Sequence, residues 1–411
     1  MEMFYRSRIL TERKIFRYKA RIHLYNNEYL MKVVVAPQAF KGSLSAFAAA
    51  RAIARGVSVC DSTIEIALVP VADGGDGTLS ALIDSTGGQI FTSVVTGPLG
   101  FAVEAEWGVM GDGHTAVIEM AQASGLVLVP AKRRNPLNTT TRGTGQIIKE
   151  ALDKGYSRII VGLGGSATND GGAGMASALG VQFLDHEGKA VPDGGAALSE
   201  LAHIDLTGIH PALKSAEIIG ATDVTNPLCG PTGASAVYGP QKGASTEIIN
   251  RLDSALMHFA DIIKLDVGID VLDTPGSGAA GGLGAGLLAF TKSELRSGID
   301  MVCDVLDFEK HVKGADLVIT GEGRSDASTI YDKAPMGVAR KSRVHNVPTV
   351  VLAGSLGTGY EELYKHGISA VVCIADRPMG FDRSLSRTEE LLEAAAARTM
   401  RLIKLGASLR P

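Results

Sequence analysis

From Met31 onward, short runs of branched apolar residues alternate with longer segments whose apolar positions recur at helical spacing. Residues 32–36, KVVVA, are apolar without interruption, the pattern of a strand covered on both faces. Residues 43–57 carry alanines and larger apolar residues at helical spacing, with Ser43 or Ser45 as the N-cap. Residues 64–70 predict the next strand and residues 79–84 the core of the next helix, a βαβα opening that implies a parallel sheet. Between 89 and 120 the texture changes. Strand-like runs follow one another across glycine turns, as in FAVEAEWGVMGDGHTAVIEM, which predicts antiparallel hairpins in a separate region. Strands are expected at 158–161, 181–185 and 217–221, with a short helix ending at Leu179 and a longer one over 246–264. After Gly298 the alternation is regular again, with strands at 316–320, 349–353 and 370–374 and a final helix over about 388–405. The simplest architecture is one α/β domain made from both ends of the chain, with a second α/β domain inserted in the middle.

Composition narrows the function. The 411 residues are 45% hydrophobic and 20% charged, ordinary for a globular chain and long enough for two domains. The net charge of -4 offers no bulk basic field, so nucleic acid is not an expected partner. No apolar run approaches the length of a membrane span. Cys60, Cys229, Cys303 and Cys373 are far apart and form no CxxC pair, which suits a reducing cytoplasm better than a zinc site or a disulfide framework. Residues 1–30 are basic, with Arg6, Arg8, Arg13, Lys14, Arg17, Lys19 and Arg21, and read either as a targeting or surface arm or as an unstructured extension without a fold role.

The 50 glycines are well above the usual share, and they concentrate in a few loops. In parallel sheets ligands sit beyond the carboxyl ends of strands, and several of these loops fall there. APQAFKGSLSA places Lys41 and Ser43 at a helix start, which suits an anion or is simply a cap beside a solvated lysine. VPVADGGDGT places Asp73 and Asp76 around Gly74 and Gly75. The two carboxylates either hold Mg²⁺ or cap the next helix. GLGGSATNDGGAG (162–174) holds Gly164, Gly165, Ser166, Asn169 and Asp170. Its Gly162-x-Gly164-x-x-Ala167 spacing, with Asp185 after the following strand, also matches a dinucleotide fingerprint. ATDVTNPLCG offers Asp223 and Asn226, and YGPQKGA sets Lys242 between glycines. PGSGAAGGLGAG, with Gly276 and Gly278, is either an anion-binding nest or a site of close packing. ITGEGRSDAST carries Glu322, Arg324 and Asp326. There is no GxxxxGK[ST] loop, no kinase HRD and DFG set, and no GxSxG elbow. Loops rich in carboxylates and free of histidine suit Mg²⁺-assisted phosphoryl transfer.

Taken in order, AFKGSLSA, VADGGDGT, GLGGSATNDGGAGM, DVTNPLCGPTGA, YGPQKGA, PGSGAAGGLGAG and LVITGEGR resemble the glycerate kinase family, over about residues 31–405. The resemblance implies ATP-dependent phosphorylation of D-glycerate with Mg²⁺, 2-phosphoglycerate being favoured over 3-phosphoglycerate, and a homodimer as a possible assembly. It implies a flavodoxin-like domain, 31–88 plus 296–411, and an inserted restriction-enzyme-like α/β domain, 89–295. It also implies that Lys41, Asp73, Asp76, Asn169, Asp170, Asp223, Glu322 and Arg324 line the cleft between them. On this reading Asp73 and Asp76 hold the metal, Lys41 neutralises phosphate, Arg324 grips the substrate carboxylate, and Asp170 or Asp223 takes the hydroxyl proton. The chain departs from the family's usual Asp and Ser at Gln38 and Ala39, and from its usual loop at Ser325, Ala327 and Ser328. Two rival readings follow: an NAD(P)-dependent oxidoreductase using the GLGGSA loop, and a non-catalytic homologue that binds ligand without turnover.

Overall fold

The computed structural model describes residues 30–330 and 333–409, so the basic extension expected over 1–30 lies, but for Leu30, outside the described residues. Strands are numbered in chain order: β1 Lys32–Val35, β2 Glu65–Leu68, β3 Gln89–Thr96, β4 Ala102–Val109, β5 Thr115–Glu119, β6 Arg158–Gly162, β7 Gln182–Leu184, β8 His203–Asp205, β9 Glu217–Ala221, β10 Glu294–Arg296, β11 Leu317–Ser325, β12 Thr349–Leu356 and β13 Ala370–Cys373. The chain is mixed α/β. One sheet, in the order β13-β12-β11-β1-β2, is parallel throughout and is drawn from the two ends of the chain. The other, β10-β9-β6-β5-β4-β3, is parallel except at β3–β4 and β4–β5.

The uninterrupted apolar run of β1 is explained by helices on both of its faces. Val33 and Val35 pack with Ala49 and Ile53 of helix Ala46–Cys60 and with Leu391 and Ala395 of helix Thr388–Ser408. Val34 faces the other way, toward Leu79 and Leu82 of helix Thr78–Thr86 and Ile299 and Val302 of helix Gly298–Val305. That same cluster contains Val117, Ile160 and Ile219 of the second sheet, so one layer of helices is shared by both sheets. The second sheet buries its opposite face, with Trp107, Ile118 and Ile159, under Ile147 and Ile148 of helix Arg142–Asp153.

Two sequence expectations change. Of the two offered caps it is Ser45, whose hydroxyl accepts from Ala48 N at 3.2 Å, so the first helix starts at Ala46 rather than at Ser43, which lies in the preceding turn. The hairpins of β3 to β5 are antiparallel as expected, yet they are not a separate region, since β5 continues the sheet by pairing in parallel with β6. Among the described residues, no helix is long and apolar enough to cross a membrane.

Candidate active site

The loops following β2 and β6 meet backbone to backbone. Gly164 N donates to Gly74 O at 3.4 Å. A Cβ on Gly164 would stand 2.5 Å from Gly75 Cα, and one on Gly162 would stand 2.6 Å from Gly74 O. Gly74 itself sits at φ +86, a conformation that favours glycine, with its missing side chain directed at Ala221 O. The glycines therefore bring the carboxyl ends of the two sheets into contact. A pocket opens on either side of this seam. The wider cleft, ≈ 630 Å³, is lined by Lys41, Ser43, Asp76, Glu322, Arg324 and Lys333, among others. The narrower pocket, ≈ 160 Å³, is lined by Ser166, Thr222, Asp223, Tyr238 and Gln241. Asp73, Gly75, Gly164 and Gly165 line both.

Asp73 and Asp76 do not cap the helix that follows them. That task falls to Glu119 at the end of β5, whose Oε1 accepts from Gly77 N at 2.9 Å and Leu79 N at 2.8 Å. Burial pushes the Glu119 carboxyl above its ordinary range, and the two amide donors oppose this. Glu119→Ala is expected to cost about 1–2 kcal/mol, the usual worth of a helix cap, which urea unfolding measures; an unchanged midpoint would contradict the assignment. Relieved of capping, Asp73 accepts from Gly75 N at 3.3 Å, and burial raises its carboxyl from the ordinary value, opposed by that amide and by the nearby Lys41. Asp76 pairs with Lys41 at 3.0 Å; both side chains are largely exposed, so the pair parts at little cost.

Glu322, 2% exposed, sits in the wider cleft. Its Oε1 accepts from Ser325 Oγ at 2.7 Å and Thr329 Oγ1 at 2.9 Å, and Gln38 Nε2 lies 3.5 Å from Oε2. Two of the departures in sequence thus bear on one carboxyl. Burial carries it from 4.5 up to about 7. The folded value lies above the unfolded one, so the proton favours the folded state. This contribution is complete below about pH 4.5 and is lost as pH rises through about 7, a loss on the order of 3 kcal/mol. Glu322→Gln is expected to flatten the fall in stability between pH 5 and pH 8, as read by urea unfolding at both values; an unaltered pH slope would contradict it.

Comparison with known proteins fits this arrangement. The profile described as "Glycerate kinase family" matches residues 33–404. The chain belongs to the glycerate kinase family. It is 49% identical over 379 residues to the glycerate kinase of Bacillus subtilis (strain 168), covering 92% of this chain and 99% of that one. It is 50% identical over 344 residues to the glycerate 2-kinase of Escherichia coli (strain K12), covering 84% and 90%. The crystal structure of a candidate glycerate kinase 2 from Salmonella typhimurium LT2 matches with a TM-score of 0.84 at 46% identity, over 93% of this chain and 100% of that one.

Glycerate kinases are phosphotransferases, and the structure places several of the expected site residues outside both pockets or in contacts with their own loops. Asp170 is fully buried, and its carboxylate accepts from Thr141 N and Oγ1, Gly172 N and Gly174 N at 2.8–3.3 Å. Asn169 is equally buried and bonds Ser235 Oγ at 3.0 Å. Neither lines the two pockets. Asn226 holds Tyr238, whose hydroxyl donates to Asn226 Oδ1 at 2.7 Å. Asp326 is occupied by Ser328 and Arg324, and the Ser328 hydroxyl first among them holds its carboxyl below the ordinary range. Gly276 and Gly278 line neither pocket; a Cβ on Gly278 would fall 2.2 Å from Pro227 O, and Gly276 sits at φ +85. The dinucleotide fingerprint fails as well. No helix follows Gly164 until Ala173, and Asp185 spends its carboxylate on Glu187 N and Lys189 N of its own turn. Thr222, Tyr238 and Gln241 lie in the ATDVTNPLCG and YGPQKGA loops but are not singled out there, and Lys333 is not singled out either, because which side chain of a loop faces a pocket is not written in its sequence.

Proposed function

We propose that this protein transfers the γ-phosphoryl group of ATP to a hydroxyl of D-glycerate, with 2-phosphoglycerate as the preferred product. The observation that carries this reading is the glycine seam shared by the two pockets, since phosphoryl transfer depends on holding donor and acceptor in line. The wider cleft takes the nucleotide, because it is the larger and carries Lys41, Arg324 and Lys333 to meet the phosphates. The narrower takes the three-carbon acid. Arg324 accordingly moves from the substrate carboxylate, where the sequence reading set it, to the phosphates. Asp223 lines the acid pocket and receives the hydroxyl proton, in preference to the enclosed Asp170.

Among the described residues no group of three or more His, Cys, Asp or Glu forms a ready metal cage. That fits Mg²⁺, which one or two carboxylates bind together with substrate phosphates. Asp73 and Asp76 supply those carboxylates, and the ion when bound neutralises charge on the phosphates. The strand order of the first sheet, second-first-third-fourth-fifth within its own strands, is that of flavodoxin-like folds. It supports two domains, 31–88 with 296–411 and an inserted restriction-enzyme-like 89–295, that enclose the reactants. A spectrophotometric assay of ADP release tests the activity. Release that requires both D-glycerate and Mg²⁺ supports it, and NAD(P)H turnover with neither would replace it with the oxidoreductase reading.

A further inference from the structure

The turn YGPQKGA carries a lysine that the reaction above does not use. Lys242 is 1% exposed, and its Nζ donates to Thr168 O at 2.7 Å. Burial brings its ammonium down from 10.5 to about 7, opposed by the nearby Asp170 carboxylate. Enclosing a cation is expensive, and an apolar chain of similar length would fill the same space more cheaply. What the lysine gains is a fixed link between two walls. Tyr238 and Gln241 stand in the narrow pocket on one side, on the segment that ends in the tight turn Pro240–Lys242. Gly243 closes that turn at φ +92, its Cα packed so that a Cβ would fall 2.6 Å from Arg134 O. Opposite lies Ser166, two residues before Thr168. A second buried bond, Asn169 Nδ2 to Ser235 Oγ, joins the same two segments.

We propose that Lys242 is a positioning residue of the acid pocket: by tying the 238–243 turn to the Thr168 carbonyl, it fixes where Tyr238 and Gln241 stand against Ser166. The inference rests on the narrow pocket being the glycerate site. It concerns binding of the acid and leaves the nucleotide cleft untouched, because neither Lys242 nor the turn lines that cleft.

The test is steady-state kinetics of Lys242→Met, with wild-type turnover of ATP and D-glycerate measured first as the separate check on the activity itself. KM for D-glycerate is expected to rise on the order of 10–100-fold, with KM for ATP unchanged and kcat recovered at saturating glycerate. Equal losses in both KM values, or a fall in kcat alone, would overturn the proposal, as a general loosening of the protein moves both substrates. Gln241→Ala serves where Lys242→Met does not fold, because Gln241 is exposed and its removal leaves the core intact. A rise in KM for D-glycerate alone supports the placement of the turn, and an unchanged KM overturns it.

Discussion

Asp73→Asn is expected to lower kcat by on the order of 10²–10³-fold, the scale of losing one preorganised electrostatic group, while the protein stays folded. Among the described residues Asp73 is the one charged side chain that lines both pockets, so on the proposed reading it faces the phosphates and the acid together. Asparagine keeps an oxygen for the Gly75 amide, which is the contact that Asp73 makes in the loop. Burial already disfavours the charged form, so removing the charge is expected to leave the melting temperature unchanged or slightly raised. The measurement is kcat as a function of Mg²⁺ concentration, alongside thermal unfolding. A variant that keeps a third of its activity and the same Mg²⁺ dependence would remove Asp73 from the centre of the reaction.

Gly164→Ala is the second large effect. The added Cβ would fall 2.5 Å from Gly75 Cα, and neither loop has room to yield. On the β2 side, Gly74 already approaches Ala221 O, and Gly298 has space for no side chain because Asp73 O lies where its Cβ would be, at 2.1 Å. Separating the loops costs about 3 kcal/mol, the upper part of the range for overpacking. On the proposed reading it also widens the seam that both substrates need, so activity is expected to fall further than stability does. Urea unfolding and kcat together measure this. Gly380→Ala is the control, since nothing lies within 4 Å of its added Cβ, and it is expected to stay within about 0.5 kcal/mol of wild type. Equal effects of the two substitutions would show that the seam is not tightly packed.

The strands were legible because a buried strand writes its own signature. Residues 217–221 and 32–36 read as strands from branched apolar runs alone, and the structure places β9 and β1 there. Pairing is another matter. The hairpin texture of residues 89–120 is local, whereas the parallel contact of β5 with β6 crosses a helix and could not be seen from either strand. The same division runs through the site. Glycine-rich loops at strand ends stood out, and the seam they form supports the proposed active centre. What each glycine is for depends on the backbone opposite it, which the sequence does not show. Asp170 looked like a ligand because it is a carboxylate in a polar loop, yet donors from Thr141, far away in the chain, enclose it. Glu119 gave no signal because its partners, Gly77 and Leu79, lie about forty residues earlier in the chain.

The central claim is tested most directly by phosphorus NMR of the purified protein incubated with ATP, Mg²⁺ and D-glycerate. The account predicts a new phosphomonoester signal that appears only when glycerate is present, coupled to a single neighbouring proton as 2-phosphoglycerate requires. Two coupled protons would instead mark the 3-phosphate and correct the regiochemistry. ATP bound without any glycerate-dependent phosphomonoester would contradict the account, and would make the Gln38 and Ser325 departures the signs of a different acceptor or of a lost activity.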